Sequence, residues 1–322
     1  DRRQRQMCIR DRALGGDHKA APALALGGRV WLAPHLGDLT ERRSFERFRN
    51  GVAELKARYG DQLERIVIDR HPGYLSHQIG VAMALAPLAL QGVQHHAAHA
   101  LAVAAEHGLE PPLLAFCADG LGYGDDSVAV GRPSEGFPPP TSWGSPPLWG
   151  GELLALGPDR IERLACLRPL PLPGGDRAAR EPRRVALGLL AVAGPGALAH
   201  PGAARCRRSF RSAEWELLVA MVARGVNAPW SSSLGRLFDG VASLLGLCQR
   251  TSFEGEAGLR LQGLAALAAS APTAQPDRGA CDRYPFPQVP AAAGDGSGLP
   301  LGWLDWQPVS YTHLTLPTIY SV

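Results

Sequence analysis

Lysine is nearly absent from the chain: Lys19 and Lys56 are the only two among 322 residues. Arginine therefore carries almost all of the positive charge, and the formal net charge is only +3. Aromatic residues make up 7% of the chain, and no basic patch with interleaved aromatic residues is present. Charge and stacking platforms of that kind are typical of nucleic-acid-binding proteins. The composition therefore does not favour a nucleic acid as partner.

Long apolar runs and paired cysteines are also lacking. No run of about 18 apolar residues is present, and the polar, arginine-rich start has no apolar core of a signal peptide. We therefore expect no membrane span and a cytoplasmic location. None of the six cysteines forms a C-x-x-C pair, and a chain of this length can build its own core, which argues against a disulfide framework. These cysteines are Cys8, Cys117, Cys166, Cys206, Cys248 and Cys281.

Strand and helix signals alternate along the chain, which predicts an α/β fold. Short β-like runs with glycine between them predict a hairpin within residues 13–37, and apolar runs predict strands at 66–69 and 113–118. Thr40 is the expected N-cap of the first helix. The predicted helices cover residues 40–59, 76–88, 95–106, 177–199, 213–225, 233–247 and 254–270.

Four segments stand apart from this alternation. Residues 1–12 and 309–322 share no pattern with their neighbours and resemble translated sequencing-adapter sequence, so we predict that both are non-native tails that pack poorly. Residues 128–147 are rich in proline, glycine and serine, which predicts an inserted loop. Residues 271–300 show little periodicity.

A histidine pair and a carboxylate form the first candidate site. His95 and His99 are four residues apart, so on a helix they project from one face about one turn apart. Two imidazoles at that spacing can bind one metal ion, although a helix surface with incidental histidines gives the same pattern. Asp119 follows an apolar run, where α/β proteins place their ligands, and it would complete an open metal site.

Two glycine-rich segments form the second candidate site. Gly120, Gly122 and Gly124 follow the strand, and Gly174, Gly175 and Asp176 precede a helix. Backbone without side chains can approach a phosphate or a ribose, and each segment also fits a tight turn with no ligand. Arg180 and Arg183 fit either an anion site or a solvated helix face. The serines at 231–233 fit helix capping or a substrate pocket.

Taken in order, these segments resemble the HypF family of hydrogenase maturation carbamoyltransferases. The resemblance covers most of residues 13–308, and its longest block is RPLPLPGGDRAAREPRRVALGLL at 168–190. The other matching stretches are LGDL at 36–39, DRHPGYLS at 69–76, VQHHAAHA at 93–100, DGLGYGDD at 119–126, WGGELL at 149–154, SSSLGRLFDGVASLLGL at 231–247 and SFEGEAGL at 252–259.

The resemblance implies a two-lobed, ribonuclease H-like fold of the actin, Hsp70 and sugar-kinase type whose C-terminal part is missing. The first lobe would span residues 13–112, and the truncated second lobe would span residues 113–308. It further implies a divalent metal, iron or zinc, held by His95, His99 and Asp119. A carbamoyl-adenylate would bind beside Gly120, Gly122, Gly124, Gly174, Gly175 and Asp176.

The chemistry that the resemblance implies is carbamoyl transfer to a thiol. Upstream domains, absent here, would make carbamoyl-adenylate from carbamoyl phosphate and ATP. The present module would pass the carbamoyl group to the C-terminal cysteine of HypE, where it becomes the cyanide ligand of [NiFe]-hydrogenase. We expect the chain to be inactive by itself because the family has further site residues in the missing C-terminal region.

Three other functions belong to different classes. An O-carbamoyltransferase of small-molecule hydroxyls would share the metal site, but the block at 168–190 favours the HypF family. A tRNA threonylcarbamoyl transferase would need a more basic surface. A fragment that only binds partners would bind neither metal nor nucleotide, which separates it from a working enzyme.

Overall fold

The computed structural model describes residues 10–84, 89–124, 148–158, 160–270, 288–290, 302–304 and 306. The chain divides into two compact units, Asp1–Leu101 and Ala102–Val322. Each unit contains a β-sheet and helices that pack on it. The α/β class expected from the alternating sequence signals is therefore confirmed in both units.

The first unit contains a five-stranded sheet with the order β3-β2-β1-β4-β5. Strands β1, β2 and β3 are antiparallel neighbours, whereas β4 is parallel to both β1 and β5. Gly27 and Gly28 join β2 to β3 with φ of 59° and 75°, the positive values that a two-residue hairpin requires. This confirms the predicted hairpin. The strands are β1 (Arg10–Ala13), β2 (Ala23–Leu26), β3 (Arg29–Leu32), β4 (Arg65–Asp69) and β5 (Ala89–Val93).

The prediction that residues 1–12 pack poorly is wrong for the last three of them. Arg10, Asp11 and Arg12 begin β1, which lies between β2 and β4 in the sheet. Arg12 is fully buried. Backbone pairing on both sides explains the error, because any sequence that can extend can satisfy such ladders. Residues 1–9 lie outside the described part of the chain.

The helices that the structure describes wholly or partly in the first unit are α1 (Arg42–Tyr59), α2 (Leu75–Met83) and α3 (His95–Glu106). Phe48 and Val52 of α1 pack against Ile66 and Ile68 of β4 in the core. The predicted N-cap was wrong. Glu41 occupies that position without a side-chain bond, and the carboxylate of Asp38 accepts hydrogen bonds from the N–H and the hydroxyl of Thr40.

The second unit contains a larger sheet in which β7 pairs with three strands. β6 and β8 flank β7 as antiparallel neighbours, and β12 is parallel to β8. The short strands β9 and β10 extend the sheet beside the start of β7. The strands are β6 (Leu113–Tyr123), β7 (Leu148–Leu156), β8 (Ile161–Leu167), β9 (Leu170–Pro171), β10 (Trp230–Ser231), β11 (Gln288–Pro290) and β12 (Gly302–Leu304).

The glycine-rich segment after residue 118 is part of a strand and not a turn. β6 continues to Tyr123, and its pairing with β7 shifts register between Ala118 and Gly122. Extra residues on one strand of a pair form a bulge, so the glycines bend β6 without ending it. The sequence missed this because β7, the pairing partner, begins 25 residues beyond Tyr123.

Helices of the second unit pack around a core that includes Leu187, Leu190 and Trp215. The helix predicted at 177–199 is interrupted: a 3₁₀ turn covers Gly175–Ala179, and Gly194 with φ of 102° separates two helices before a proline. A positive φ cannot continue a right-handed helix. The helices are α4 (Pro182–Ala193), α5 (Pro195–Ala199), α6 (Ala204–Arg208), α7 (Ser212–Arg224), α8 (Leu234–Leu244) and α9 (Glu256–Ser270).

Several predicted segments lie outside the described residues: the tail at 309–322, the insertion at 128–147 and most of 271–300. The lobe boundaries given above remain predictions. Among the described residues, no helix combines the length and apolar character that crossing a bilayer would require.

Candidate functional site

The histidine pair lies at the N-terminal end of α3, directly after β5 and Gln94. The Nε2 atoms of His95 and His99 are 3.3 Å apart, and their ring centroids are 4.9 Å apart. The side-chain amide oxygen of Gln94 accepts a hydrogen bond from the N–H of Ala97 and so caps this helix end. The first turn of α3 therefore presents two imidazole nitrogens toward one point.

A buried carboxylate contacts the first histidine of the pair. Nδ1 of His95 lies 2.7 Å from Oδ2 of Asp69, whose side chain is 7% exposed. The other oxygen, Oδ1, accepts a hydrogen bond of 2.8 Å from the backbone N–H of His71. Asp69 is the last residue of the strand predicted at 66–69, but the sequence gives no reason to pair it with His95.

His96 takes no part in this arrangement. Its ring is fully buried, and its Nδ1 lies 3.2 Å from the side-chain amide nitrogen of Gln94. Consecutive residues of a helix point about 100° apart, so His96 faces the interior while its neighbour His95 is partly exposed. His96 therefore does not belong to the pair formed by His95 and His99.

The spacing of the two histidines suits a metal ion. Two nitrogens bound to one tetrahedral ion at about 2.0–2.1 Å lie about 3.3–3.4 Å apart. The separation of 3.3 Å between the Nε2 atoms matches that value. A contact between Nδ1 of a ligating histidine and a carboxylate is also common in metal sites.

Asp119 lies in the second unit, in the bulge of β6. Its Oδ1 accepts a hydrogen bond of 2.6 Å from the N–H of Gly120. The hydroxyl of Ser233 lies within hydrogen-bond distance of the carbonyl oxygens of Asp119 and Gly120, and it accepts a bond from the N–H of Arg236. The bulge is thereby tied to the N-terminus of α8.

Sequence reasoning missed a buried ion pair beside this bulge. Glu152 of β7 is fully buried and accepts hydrogen bonds from Arg163, from Ser232 and from two backbone N–H groups. Arg163 also stacks over the ring of Trp149, 4.0 Å from its centroid. A buried charge needs such partners, so Glu152 fixes the loop that leads into α8. The motif WGGELL contains Glu152 and the two backbone N–H groups, but not Arg163 or Ser232.

The serines before α8 have structural roles. Ser233 is the N-cap, as the capping interpretation predicted, and Ser232 donates to Glu152. The hydroxyl of Ser231 accepts a hydrogen bond from the N–H of Ser233. These contacts account for the run of three serines through capping and loop formation.

The strand opposite the first glycine segment has little room for side chains. A Cβ added at Gly150 would lie 2.8 Å from the carbonyl oxygen of Asp119, closer than real contacts allow. A Cβ at Gly120 would meet nothing within 4 Å. Gly122 pairs with Trp149 in the ladder, and Gly124 follows the end of β6. The backbone at Gly120 thus has open space beside it.

The second glycine segment forms a hydrogen-bonded turn. Gly174 and Gly175 have φ of 92° and 58°, which explains the glycines because other residues rarely adopt these values. Their N–H groups donate to the carbonyl oxygens of Asn227 and Leu172. The side chain of Asp176, by contrast, is exposed at the start of the 3₁₀ turn.

The arginines after this turn differ in environment. Arg180 is exposed, whereas Arg183 is 3% exposed and contacts Glu181 and Glu214. Arg184 pairs with the same two carboxylates. A solvated face is therefore wrong for Arg183. Burial alone would raise the pKa of Glu181, but hydrogen bonds and charge from Arg183 and Arg184 lower it to about 2.

The cysteines in the described part of the second unit are buried thiols without disulfide bonds. Burial raises the pKa of Cys166 and of Cys206 to about 12, and it also raises the pKa of Cys248. A thiol with so high a pKa is not ionised at neutral pH and is a poor nucleophile.

Two family models match the chain. Residues 12–106 match the HypF Kae1-like domain, and residues 143–286 match the second subdomain of the carbamoyltransferase Kae1-like domain. The second glycine segment, at 174–176, lies within these matches, whereas the first, at 120–124, lies in residues 107–142 between them.

Curated relatives agree with these models. The carbamoyltransferase HypF of Rhodobacter capsulatus is 38% identical over 286 residues, which is 87% of this chain and 35% of the relative. HypF2 of Cupriavidus necator is 36% identical over 260 residues, which is 79% of this chain and 28% of the relative. The chain thus spans about a third of the length of these relatives.

Solved structures confirm the fold class. Full-length HypF in a phosphate- and nucleotide-bound form is 25% identical with a TM-score of 0.70, and the match covers 95% of this chain and 34% of that one. HypF of T. kodakarensis is also 25% identical, with a TM-score of 0.73 over 98% of this chain and 37% of that one. These neighbours and the Kae1-like models support the predicted actin-like α/β fold.

Proposed function

Because the chain belongs to the HypF family of carbamoyltransferases, we propose that it is the carbamoyl-transferring module of an enzyme of hydrogenase maturation. The observation that carries this proposal is the pair of family matches, which together span most of residues 12–286. The substrates and the acceptor below belong to the proposal, since the chain covers only part of each relative.

The proposed reaction joins a carbamoyl group to sulfur. A thiolate at the C-terminal cysteine of a HypE-type protein attacks the carbamoyl carbon of carbamoyl-adenylate. The bond from that carbon to the phosphate oxygen breaks, AMP leaves with the electron pair, and the thiol proton goes to solvent. Other domains of the parent protein would supply carbamoyl-adenylate from carbamoyl phosphate and ATP.

Direct transfer to the partner thiol is favoured over a covalent intermediate on this chain. An intermediate would need an activated nucleophile. Burial raises the pKa of the four cysteine thiols in the described part of the chain, Cys117, Cys166, Cys206 and Cys248, and so keeps them protonated at neutral pH. An acceptor cysteine at a flexible chain end has an ordinary pKa near 8.5, so about a few per cent is thiolate at neutral pH. A hydroxyl acceptor would need a general base.

His95, His99 and Asp119 are the proposed ligands of one divalent metal ion, iron or zinc. The separation of 3.3 Å between the histidine Nε2 atoms supports the histidine half of the site. The bulge of β6, tied by Ser233, supports Asp119 as a carboxylate with a fixed backbone. When bound, such an ion supplies Lewis acidity toward a carbonyl or phosphate oxygen.

Carbamoyl-adenylate is proposed to bind beside Gly120, Gly122, Gly124, Gly174, Gly175 and Asp176. The open space beside Gly120 supports backbone contact there. Since the N–H groups of Gly174 and Gly175 already donate to the carbonyl oxygens of Asn227 and Leu172, the exposed carboxylate of Asp176 is the better candidate for a ribose hydroxyl. Gly120→Val and Asp176→Ala should therefore weaken binding of a non-hydrolysable adenylate.

Mass spectrometry of the acceptor tests the function. The parent protein, completed with its other domains, is given ATP, carbamoyl phosphate and HypE, and we expect HypE to gain the mass of one carbamoyl group. HypE with its C-terminal Cys changed to Ala is the matched control and should gain none. His99→Ala in the carbamoyltransferase should reduce the transfer.

Two outcomes would contradict the assignment. A mass gain that persists in the Cys-to-Ala acceptor would exclude the thiol as the site. Transfer to a hydroxylated small molecule with none to HypE would support an O-carbamoyltransferase instead.

A further inference from the structure

We propose that Asp69 is a positioning residue, which fixes the tautomer and orientation of His95 so that Nε2 faces the metal ion. This inference rests on the proposed metal site. The observation is the contact of 2.7 Å between Oδ2 of Asp69 and Nδ1 of His95. Neither the family matches nor the histidine spacing assigns a role to this carboxylate.

The contact selects one tautomer of His95. An ionised carboxylate only accepts hydrogen bonds, so Nδ1 must carry the proton that it donates to Asp69. A neutral imidazole has one protonated nitrogen, and Nε2 is therefore left with its lone pair. The Nε2 atom of His95 lies 3.3 Å from Nε2 of His99, on the side where the proposed ion would bind.

The fold places Asp69 for this role. Asp69 ends β4, and it pairs with Val93 of the parallel strand β5, two residues before His95. Its carbonyl oxygen lies 2.8 Å from Nδ1 of His77 on α2. The carboxylate is thus fixed by the sheet, by α2 and by the N–H of His71, which binds its second oxygen.

A purely structural role for Asp69 is the competing explanation. The bond from the N–H of His71 to Oδ1 closes a local turn after β4, and this alone could account for the residue. The two explanations differ in one measurable property. A local turn has no effect on which nitrogen of His95 carries the proton, whereas the positioning role requires it.

The same unit offers a matched control. Nδ1 of His18 lies 2.7 Å from Oδ2 of Asp38, the same distance as in the His95 pair, and the His18 side chain is 69% exposed. Neither residue belongs to the proposed metal site. Asp38→Ala therefore removes a carboxylate that lies at the same distance from a histidine nitrogen, and it should leave the properties of His95 unchanged.

The test begins with the tautomer in the metal-free 322-residue chain. At about pH 8, where a histidine of ordinary pKa is neutral, ¹⁵N shifts report which ring nitrogen is protonated. We expect Nδ1–H at His95 in the wild type and in Asp38→Ala. In Asp69→Ala we expect a shift toward Nε2–H. Asp69→Asn should keep much of the Nδ1–H form, since an amide oxygen still accepts the bond.

The second readout is zinc affinity, measured by competition with a coloured chelator. Loss of a carboxylate behind a ligating histidine commonly weakens metal binding by about 10–100-fold, and we expect that loss in Asp69→Ala and a smaller one in Asp69→Asn. Asp38→Ala should bind zinc like the wild type. His99→Ala, which removes a proposed ligand, should bind far more weakly than any of these.

The outcomes separate this inference from the proposed metal site. A wild-type chain that binds no zinc contradicts the metal site, while the tautomer shift in Asp69→Ala still supports the contact. If Asp69→Ala binds zinc as tightly as the wild type and leaves the tautomer of His95 unchanged, the positioning role is overturned. If Asp69→Ala fails to fold, Asp69→Asn supplies both readouts, and wild-type values for both would overturn it.

Discussion

Arg12 is a buried cation in the middle of the first sheet. Its side chain is fully buried, and burial lowers its pKa. One guanidinium nitrogen donates to the carbonyl oxygen of Val52, while Nε and the other terminal nitrogen have no hydrogen-bond partner in the described part of the chain. A buried charge with so few partners costs free energy.

Arg12→Met should therefore stabilise the first unit. Removal of the unpaired charge, with the aliphatic stem retained, is expected to raise the free energy of unfolding by about 1–3 kcal/mol. Arg10→Met on the same strand is the control, because that side chain is 48% exposed and its change should stay within about 0.5 kcal/mol. Urea denaturation measures both. A loss of stability in Arg12→Met would mean that the charge has partners of real energetic value.

For single residues, the sequence predicts the contacts of those whose partners lie close to them along the chain. The four-residue spacing of His95 and His99 suffices to place them on one helix face. The role of Asp69 depends on the pairing of β4 with β5, which brings together residues 26 apart. Local patterns contain no information on such a contact, and the same applies to Glu152 and Ser232, which are 80 apart.

Two helices of the second unit pack closely through glycine. A Cβ added at Gly188 of α4 would lie 2.2 Å from the carbonyl oxygen of Pro171, and one at Gly240 of α8 would lie 2.4 Å from Cδ1 of Leu189. The helical periodicity of both segments is visible in the sequence. The reason for glycine on these faces is not, because it depends on the strand and helix that lie opposite.

Paired alanine substitutions test this packing. Gly188→Ala should destabilise the chain by about 1–3 kcal/mol or more, since a backbone oxygen cannot move aside as a side chain can. Gly263→Ala on α9 meets nothing within 4 Å and should stabilise by about 0.5–1 kcal/mol through helix propensity. Thermal denaturation of both variants measures these two changes in stability. Equal effects of the same sign would show that contact at position 188 is not what selects glycine.

On the scale of the whole chain, the alternation of strands and helices is enough to predict the fold class. Each unit has its own core, around Phe48 and Ile66 in the first and around Leu187 and Trp215 in the second. The glycines after residue 118 are typical of a turn, and the sequence does not reveal that they pair with a strand, because β7 begins 25 residues beyond Tyr123. Register and bulges arise from pairing between distant strands, so they are visible only in the folded chain.

The proposed metal site makes a prediction for the stability of the whole chain. A ligand that binds only the folded state stabilises it by RT ln(1 + [L]/Kd), about 2.7 kcal/mol at a concentration of 100 Kd. Zinc should therefore raise the thermal midpoint of the wild type, and a chelator should reverse the change. His99→Ala and Asp119→Ala should each abolish most of the zinc-dependent shift, because each removes one of three proposed ligands.

His107→Ala is the control for this experiment. His107 is exposed just beyond the C-terminal end of α3, so its loss removes an imidazole at the opposite end of the same helix without removing a proposed ligand. The zinc-dependent shift should then equal that of the wild type. If Asp119→Ala keeps the full shift while His99→Ala loses it, the ion is held by the histidine pair without Asp119. If no variant changes the shift, zinc binds elsewhere and the three-residue site is wrong.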